Sequence, residues 1–156
     1  MTLSAAALWA LVIALGIQTG AGIYETLVLV PLWATGEAAA VARFFAPPMR
    51  IDSGRRLWRF LTPLTTLIVV LNVVLAFRSS APTRTWWLAG SLGSMAVMTA
   101  TFAYFVPVLF SFARANEAAS ADVGAKARRW RMLNYVRATV LVASWIAALR
   151  AFSLVA

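Results

Sequence analysis

The sequence predicts an all-α membrane protein, a single domain over residues 1–156 built as a bundle of four transmembrane helices. Three observations carry that expectation. The chain is 62% hydrophobic and only 12% charged, with a mean hydropathy of +0.82, whereas a soluble domain is about half apolar and a quarter charged. Its apolar residues fall into four continuous stretches, each close to the roughly 20 residues that a helix needs to cross a bilayer. The strands of a β-barrel would instead alternate in polarity over about ten residues. Nearly all the charge lies between these stretches.

The first span is expected at residues 3–34. No Lys or Arg precedes it and its apolar run is about twice as long as the core of a signal peptide, so it reads as retained rather than cleaved. Residues 37–46 (EAAAVARFFA) put Val41, Phe44 and Phe45 on one face and end at Pro47-Pro48, the pattern of a short interfacial helix or of a continuation of the first span. The second span is expected at 61–77, with Pro63 in its first turn, where the missing N–H costs little. The third is expected at 86–112 and the fourth at 135–155. Trp58, Trp86, Trp87 and Trp130 flank the spans, as interfacial tryptophans do. Gly124 is the expected break in the small-residue connection before the fourth span.

Arg55-Arg56-Leu57-Trp58-Arg59-Phe60-Leu61-Thr62 resembles Arg128-Arg129-Trp130-Arg131-Met132-Leu133-Asn134 with one residue dropped, and each run leads into an even-numbered span. Two duplicated helical hairpins would produce that match, as would shared interface chemistry.

The net charge of +9 is distributed by loop. Residues 35–60 and 113–134 hold most of the 14 basic residues, which the positive-inside rule assigns to the cytoplasm, leaving both termini outside. Such loops fit a lipid bilayer as partner rather than nucleic acid, whose binding surface would gather the charge on one soluble face. With 13 Arg to one Lys and abundant Ala, the composition points to a bacterial inner membrane.

Several kinds of chemistry lack their residues. The chain has no cysteine and no histidine, hence no thiolate nucleophile, no iron–sulfur ligation and no imidazole for haem, zinc or a triad. Five acidic residues are too few and too scattered for a di-iron bundle. No glycine-rich phosphate cradle appears. No metal and no cofactor is expected.

Glu25 is the one carboxylate inside the apolar runs. At 100° per residue, Gln18, Gly22 and Glu25 fall within about 60° on the first helix, while Gly16 and Gly20 face nearly the opposite way as a GxxxG pair suited to close helix approach or to a homo-oligomer. The second helix has a stripe of Thr62, Thr65, Thr66, Val69 and Asn72. The third offers Ser94, Met98, Thr101 and Phe105, and the fourth Trp130, Asn134, Arg137, Leu141 and Ser144. Polar stripes in lipid are expected to face one another. The first helix runs inward and the fourth outward, so Glu25 and the Asn134/Arg137 turn lie at similar depth and are natural partners. A carboxylate in hydrocarbon costs at least about 2.5 kcal/mol, which calls for a pair, a proton or a wet cavity. A structural Glu25–Arg137 clamp and a ligand-binding or catalytic site both answer that need. Gln18 and Asn72 are more often interhelical hydrogen-bond glue than ligand contacts.

Two motifs carry a family resemblance. The run from Arg129 to Arg137 has the pattern RWxxLNxxR, and Gly22-Ile23-Tyr24 is followed by Val30-Pro31 in the first span, with Pro107 late in the third. In these the chain resembles the small four-helix membrane proteins grouped as anthrone oxygenase-like; after Pro107 it departs from their pattern. The resemblance implies an oxidoreductase, a cofactor-independent oxygenation of a hydrophobic phenolic or polyketide-type substrate. Glu25 would then remove an acidic C–H proton, while Arg137 and Asn134 stabilise the phenolate oxygen. Tyr24, Gln18, Asn72, Thr101, Phe105 and Trp130 would contact a lipophilic aromatic molecule entering from the bilayer. The competing expectation is a non-enzymatic membrane protein, a lipophilic-ligand or quinone binder or a transport or assembly component, with Glu25–Arg137 as its clamp.

Overall fold

The computed structural model describes residues 2–46, 55–114 and 121–155. Four helices in it are long and apolar enough to cross a membrane. Helix α1 covers Leu3–Trp33, α3 Arg55–Ala76, α4 Thr83–Arg114 and α5 Ala121–Ser153, with the short α2 at Ala38–Phe45. Among the described residues there is no strand. Each long helix packs against the next and α5 closes on α1. Both termini and the α3–α4 turn lie at one end, here the far end. The end of α1, α2, the start of α3, the end of α4 and the start of α5 lie at the other, here the basic end.

Two helices begin more than one turn earlier than hydropathy predicts. Helix α3 starts at Arg55 rather than 61, and α5 at Ala121 rather than 135. Apolarity marks where a helix enters hydrocarbon, whereas these helices continue into the polar region on good helix formers such as Arg, Ala and Leu. At 33 residues, α5 is about 50 Å long and outruns a hydrocarbon core of about 30 Å. Gly124 is therefore not a break but part of α5. A Cβ there would run into the carbonyl oxygen of Gly36, so the glycine lets the α1–α2 turn lie directly on α5. Gly36 itself has φ of 102°, a left-handed conformation that glycine adopts freely, and its carbonyl accepts from Arg128 Nη1 at 3.3 Å. Pro47-Pro48 and residues 115–120 lie outside the described residues.

The far end is closed by small residues. A Cβ on Gly90 would stand 2.9 Å from both Ser144 O and Ala148 N, which brings α4 and α5 into backbone contact. Leu8, Leu11, Leu15, Val69, Trp87 and Met98 fill the centre. Trp87 is fully buried rather than interfacial, because its indole N–H donates to Asn72 Oδ1 at 3.0 Å, while Asn72 Nδ2 donates to the Ile68 carbonyl at 2.8 Å. Gly16 is covered by the ring of Trp145, whereas Gly20 has open space beside it.

At the basic end, Trp33, Phe45, Phe105, Phe112 and Trp130 form a cluster of tilted and edge-on rings, with Trp33 and Trp130 4.9 Å apart and Phe105 and Trp130 5.3 Å apart. Trp130 is thus also interior, 1% exposed. Helix α2 lays Val41 and Phe45 into this cluster and leaves Arg43 exposed. Among the described residues no α3 side chain joins it.

The odd-numbered spans share one local feature. Glu25–Leu29 in α1 and Thr101–Phe105 in α4 are π-helical turns, each followed by Val-Pro: Val30-Pro31 and Val106-Pro107. In both, the valine N–H reaches back five residues, to Glu25 O and Thr101 O. A proline removes one N–H and crowds the carbonyl four residues earlier, and a turn widened by one residue accommodates both.

Candidate functional site

The first π-turn begins at Glu25 and the second at Thr101, and both residues stand on the wall of one cavity of about 630 Å³. It lies between the basic-end half of α3 and the other three long helices. Its walls are mainly apolar, with Val97, Phe102, Phe105, Val106, Leu109 and Leu141 among them. The volume is in the range of small-molecule sites.

Arg137 bridges the two π-turns. Its Nη2 is 3.6 Å from Glu25 Oε2, and its Nη1 is 3.5 Å from Thr101 Oγ1. The guanidinium carbon sits 4.4 Å from the centre of the Phe105 ring, within range of a cation–π attraction. Both charged side chains are 17% exposed. A direct charge-assisted hydrogen bond would be about 2.7–2.9 Å, so the carboxylate keeps free acceptor capacity toward the cavity. Thr101 Oγ1 donates to the Val97 carbonyl at 2.8 Å, leaving its lone pairs to the arginine.

Behind this pair, Asn134 Nδ2 donates to Thr26 Oγ1 at 2.8 Å, and Thr26 Oγ1 donates to the Gly22 carbonyl at 2.6 Å. Asn134 is fully buried and its Oδ1 has no partner. It ties α5 to the first π-turn and does not reach the cavity wall, unlike the phenolate contact expected of it.

The remaining expected positions separate clearly. Gln18, Thr101, Phe105 and Trp130 line the cavity. Gln18 is 5% exposed, its Nε2 directed at Met98 Sδ at 3.7 Å and its Oε1 unpaired. Thr19, also on the wall, is 3% exposed and its hydroxyl has no partner. Tyr24 does not line the cavity: it is 57% exposed, because one residue of helix turns it about 100° from Glu25. Asn72 is engaged with Trp87 at the far end, about 15 Å along α3 from Thr62.

Among the wall residues not anticipated as site residues are the polar Thr19, Thr26, Arg56, Arg59 and Thr62. Arg56 and Arg59 belong to the RRLWR run, and a helix begun at Arg55 would have put them on the same α3 stripe as Thr62. Among the described residues no group of side chains could hold a metal ion. Compared with known proteins, the chain matches no family model, no curated protein and no solved structure.

Proposed function

We propose that the cavity binds a flat, lipophilic phenolic molecule and that the protein oxygenates it without a cofactor, Glu25 acting as the base. The observation that carries this reading is the Glu25–Arg137 pair, held 3.6 Å apart on the wall of an apolar cavity of about 630 Å³. Gln18 and Thr19, each with a buried side-chain oxygen that has no partner, belong to the same wall. A buried acceptor left unpaired costs about 1–3 kcal/mol, and a phenolic hydroxyl would satisfy one.

The reaction suited to these groups starts at a methylene activated by flanking aryl rings and a carbonyl. Glu25 removes one C–H proton, and the negative charge spreads onto the ring oxygen, which Arg137 stabilises. The carbanion passes one electron to dioxygen, and the radical and superoxide combine into a peroxide that takes the proton back from Glu25. Loss of water breaks the O–O bond as the second C–H proton leaves, so that CH₂ and O₂ become C=O and H₂O. No external reductant is consumed. The basic end faces the cytoplasm in this reading, by the excess of arginine in its loops, in a bacterial inner membrane.

The test is oxygen uptake by purified protein supplied with an anthrone. Wild type should consume oxygen and form the quinone, and Glu25→Gln should lose at least about 99% of that rate, the 10²–10⁴-fold contribution of a general base, while remaining folded. If Glu25→Gln retains the rate, the base assignment fails. If Glu25→Gln and Arg137→Met each prevent folding and the double replacement restores it, the pair is a structural clamp, a reading favoured by the Asn134–Thr26–Gly22 chain packed beside it.

A further inference from the structure

Charge on the cavity wall does not balance. Among the described residues Glu25 is the one carboxylate on it and is met by Arg137, yet Arg56 and Arg59 from the start of α3 line the same space. Among the described residues neither arginine has a carboxylate within ion-pair distance. Arg59 lies 5.7 Å over the ring of Phe60, its immediate neighbour, which supplies no counter-charge.

The local backbone explains why these arginines border a cavity rather than a packed interface. Pro63 sits inside α3, not in its first turn, so the carbonyl of Arg59 has no intrahelical donor. The first two turns of α3 are joined to the rest of the helix by one bond fewer. They stand apart from the aromatic cluster that holds the other three long helices together at this end. Ile23 of α1 and Phe102 of α4 are on the cavity wall and yet 42% and 49% exposed. The cavity thus opens sideways, beside α3, toward acyl chains.

We propose that its ligand is an amphiphile: an apolar body against Phe102, Phe105 and Leu141, and an anionic head, carboxylate or phosphate, bound by Arg56 and Arg59. This rests on the reading of the cavity as a lipophile site and adds the class of ligand that fills it. Guanidinium forks match the two oxygens of such a head. The side entry lets the body leave the bilayer without crossing water, while the head stays at the depth of the lipid head groups.

The experiment uses whole protein in phosphatidylcholine nanodiscs and two probes of one shape, anthracene-9-carboxylic acid and 9-anthracenemethanol, read by tryptophan-to-anthracene energy transfer. Wild type should bind the acid about tenfold more tightly than the alcohol, and Arg56→Gln/Arg59→Gln should abolish that preference while leaving the alcohol unchanged. Equal binding of the two probes by wild type, or an unchanged preference in the double variant, overturns the proposal. Repeating the titration in phosphatidylglycerol nanodiscs identifies the source of the head. Acid binding that falls in wild type more than in the variant assigns the head site to the membrane's own anionic lipid; acid binding that persists assigns it to a free acid. Both outcomes support the anionic head. Because the readout is binding, a protein that shows the acid preference but consumes no oxygen sinks the oxygenase reading and leaves this one standing.

Discussion

The two ends of the bundle are made from similar residues and do opposite things. At the far end, glycine and serine let α4 and α5 touch, so that a Cβ on Gly90 would stand 2.9 Å from Ser144 O and Ala148 N. At the basic end the small residue Gly22 has nothing within 4 Å of where its Cβ would be, because it borders the cavity. Aromatic rings cement three helices there and α3 stands aside. Stability is concentrated where the helices are close, and space for a ligand is kept where proline and π-turns prevent regular packing. The same residue type is a joint at one end and a wall at the other.

The largest effect is expected from exchanging those roles. Gly90→Leu must push α4 from α5, since even its Cβ meets backbone atoms; overpacking of this kind costs about 1–3 kcal/mol and more against backbone. Thermal unfolding of the purified protein should show the variant failing to reach a folded, monodisperse state. Gly22→Ala should instead be tolerated or stabilise by up to about 1 kcal/mol through helix propensity. Equal damage from the two would mean that the ends are not different in packing.

A middle-sized effect belongs to Asn72. Replacing it with Leu leaves the buried Trp87 N–H without its acceptor, a loss of about 1–3 kcal/mol. Denaturant titration should show that loss with probe binding in the cavity unchanged. A change in binding would couple the far end to the site and undo the separation drawn between them.

How much of this was legible in the sequence follows from which physical signals are periodic. Hydropathy marked four spans, and helix direction with register placed Glu25 near Arg137, which are 3.6 Å apart. Face alone was a weaker guide. Thr62 and Asn72 share a stripe on α3 but differ in depth by about 15 Å, so one lines the cavity and the other serves the far end. Tyr24 adjoins Glu25 in sequence and points elsewhere. Arg56 and Arg59 were hidden because charge read as loop, although a helix can carry charge once it has left hydrocarbon. The cavity itself has no sequence signal of its own: it arises from α3 standing apart, of which Pro63 is the one visible trace. Pro31 and Pro107 are visible in the sequence, yet only the backbone reveals that a π-turn precedes each and that Arg137 spans the two.

The smallest effect discriminates most finely between the ends, because it compares two buried hydroxyls with the same defect. Thr19 on the cavity wall and Ser91, next to Gly90 on α4, are 3% and 0% exposed, and neither hydroxyl has a partner. Removing an unpaired buried hydroxyl is close to neutral or stabilising, so Thr19→Val and Ser91→Ala should each shift stability by less than about 1 kcal/mol. Their binding behaviour should part. Ser91 is not on the cavity wall, whereas Thr19 is one of its lining residues. Thr19→Val should therefore weaken binding of 9-anthracenemethanol, whose hydroxyl needs a partner in the cavity, and Ser91→Ala should not. Identical titration curves for the two variants would mean that the unpaired oxygen on the wall is a packing defect like its counterpart, and that the ligand's polar group is held by Glu25, Arg137 or Gln18 instead.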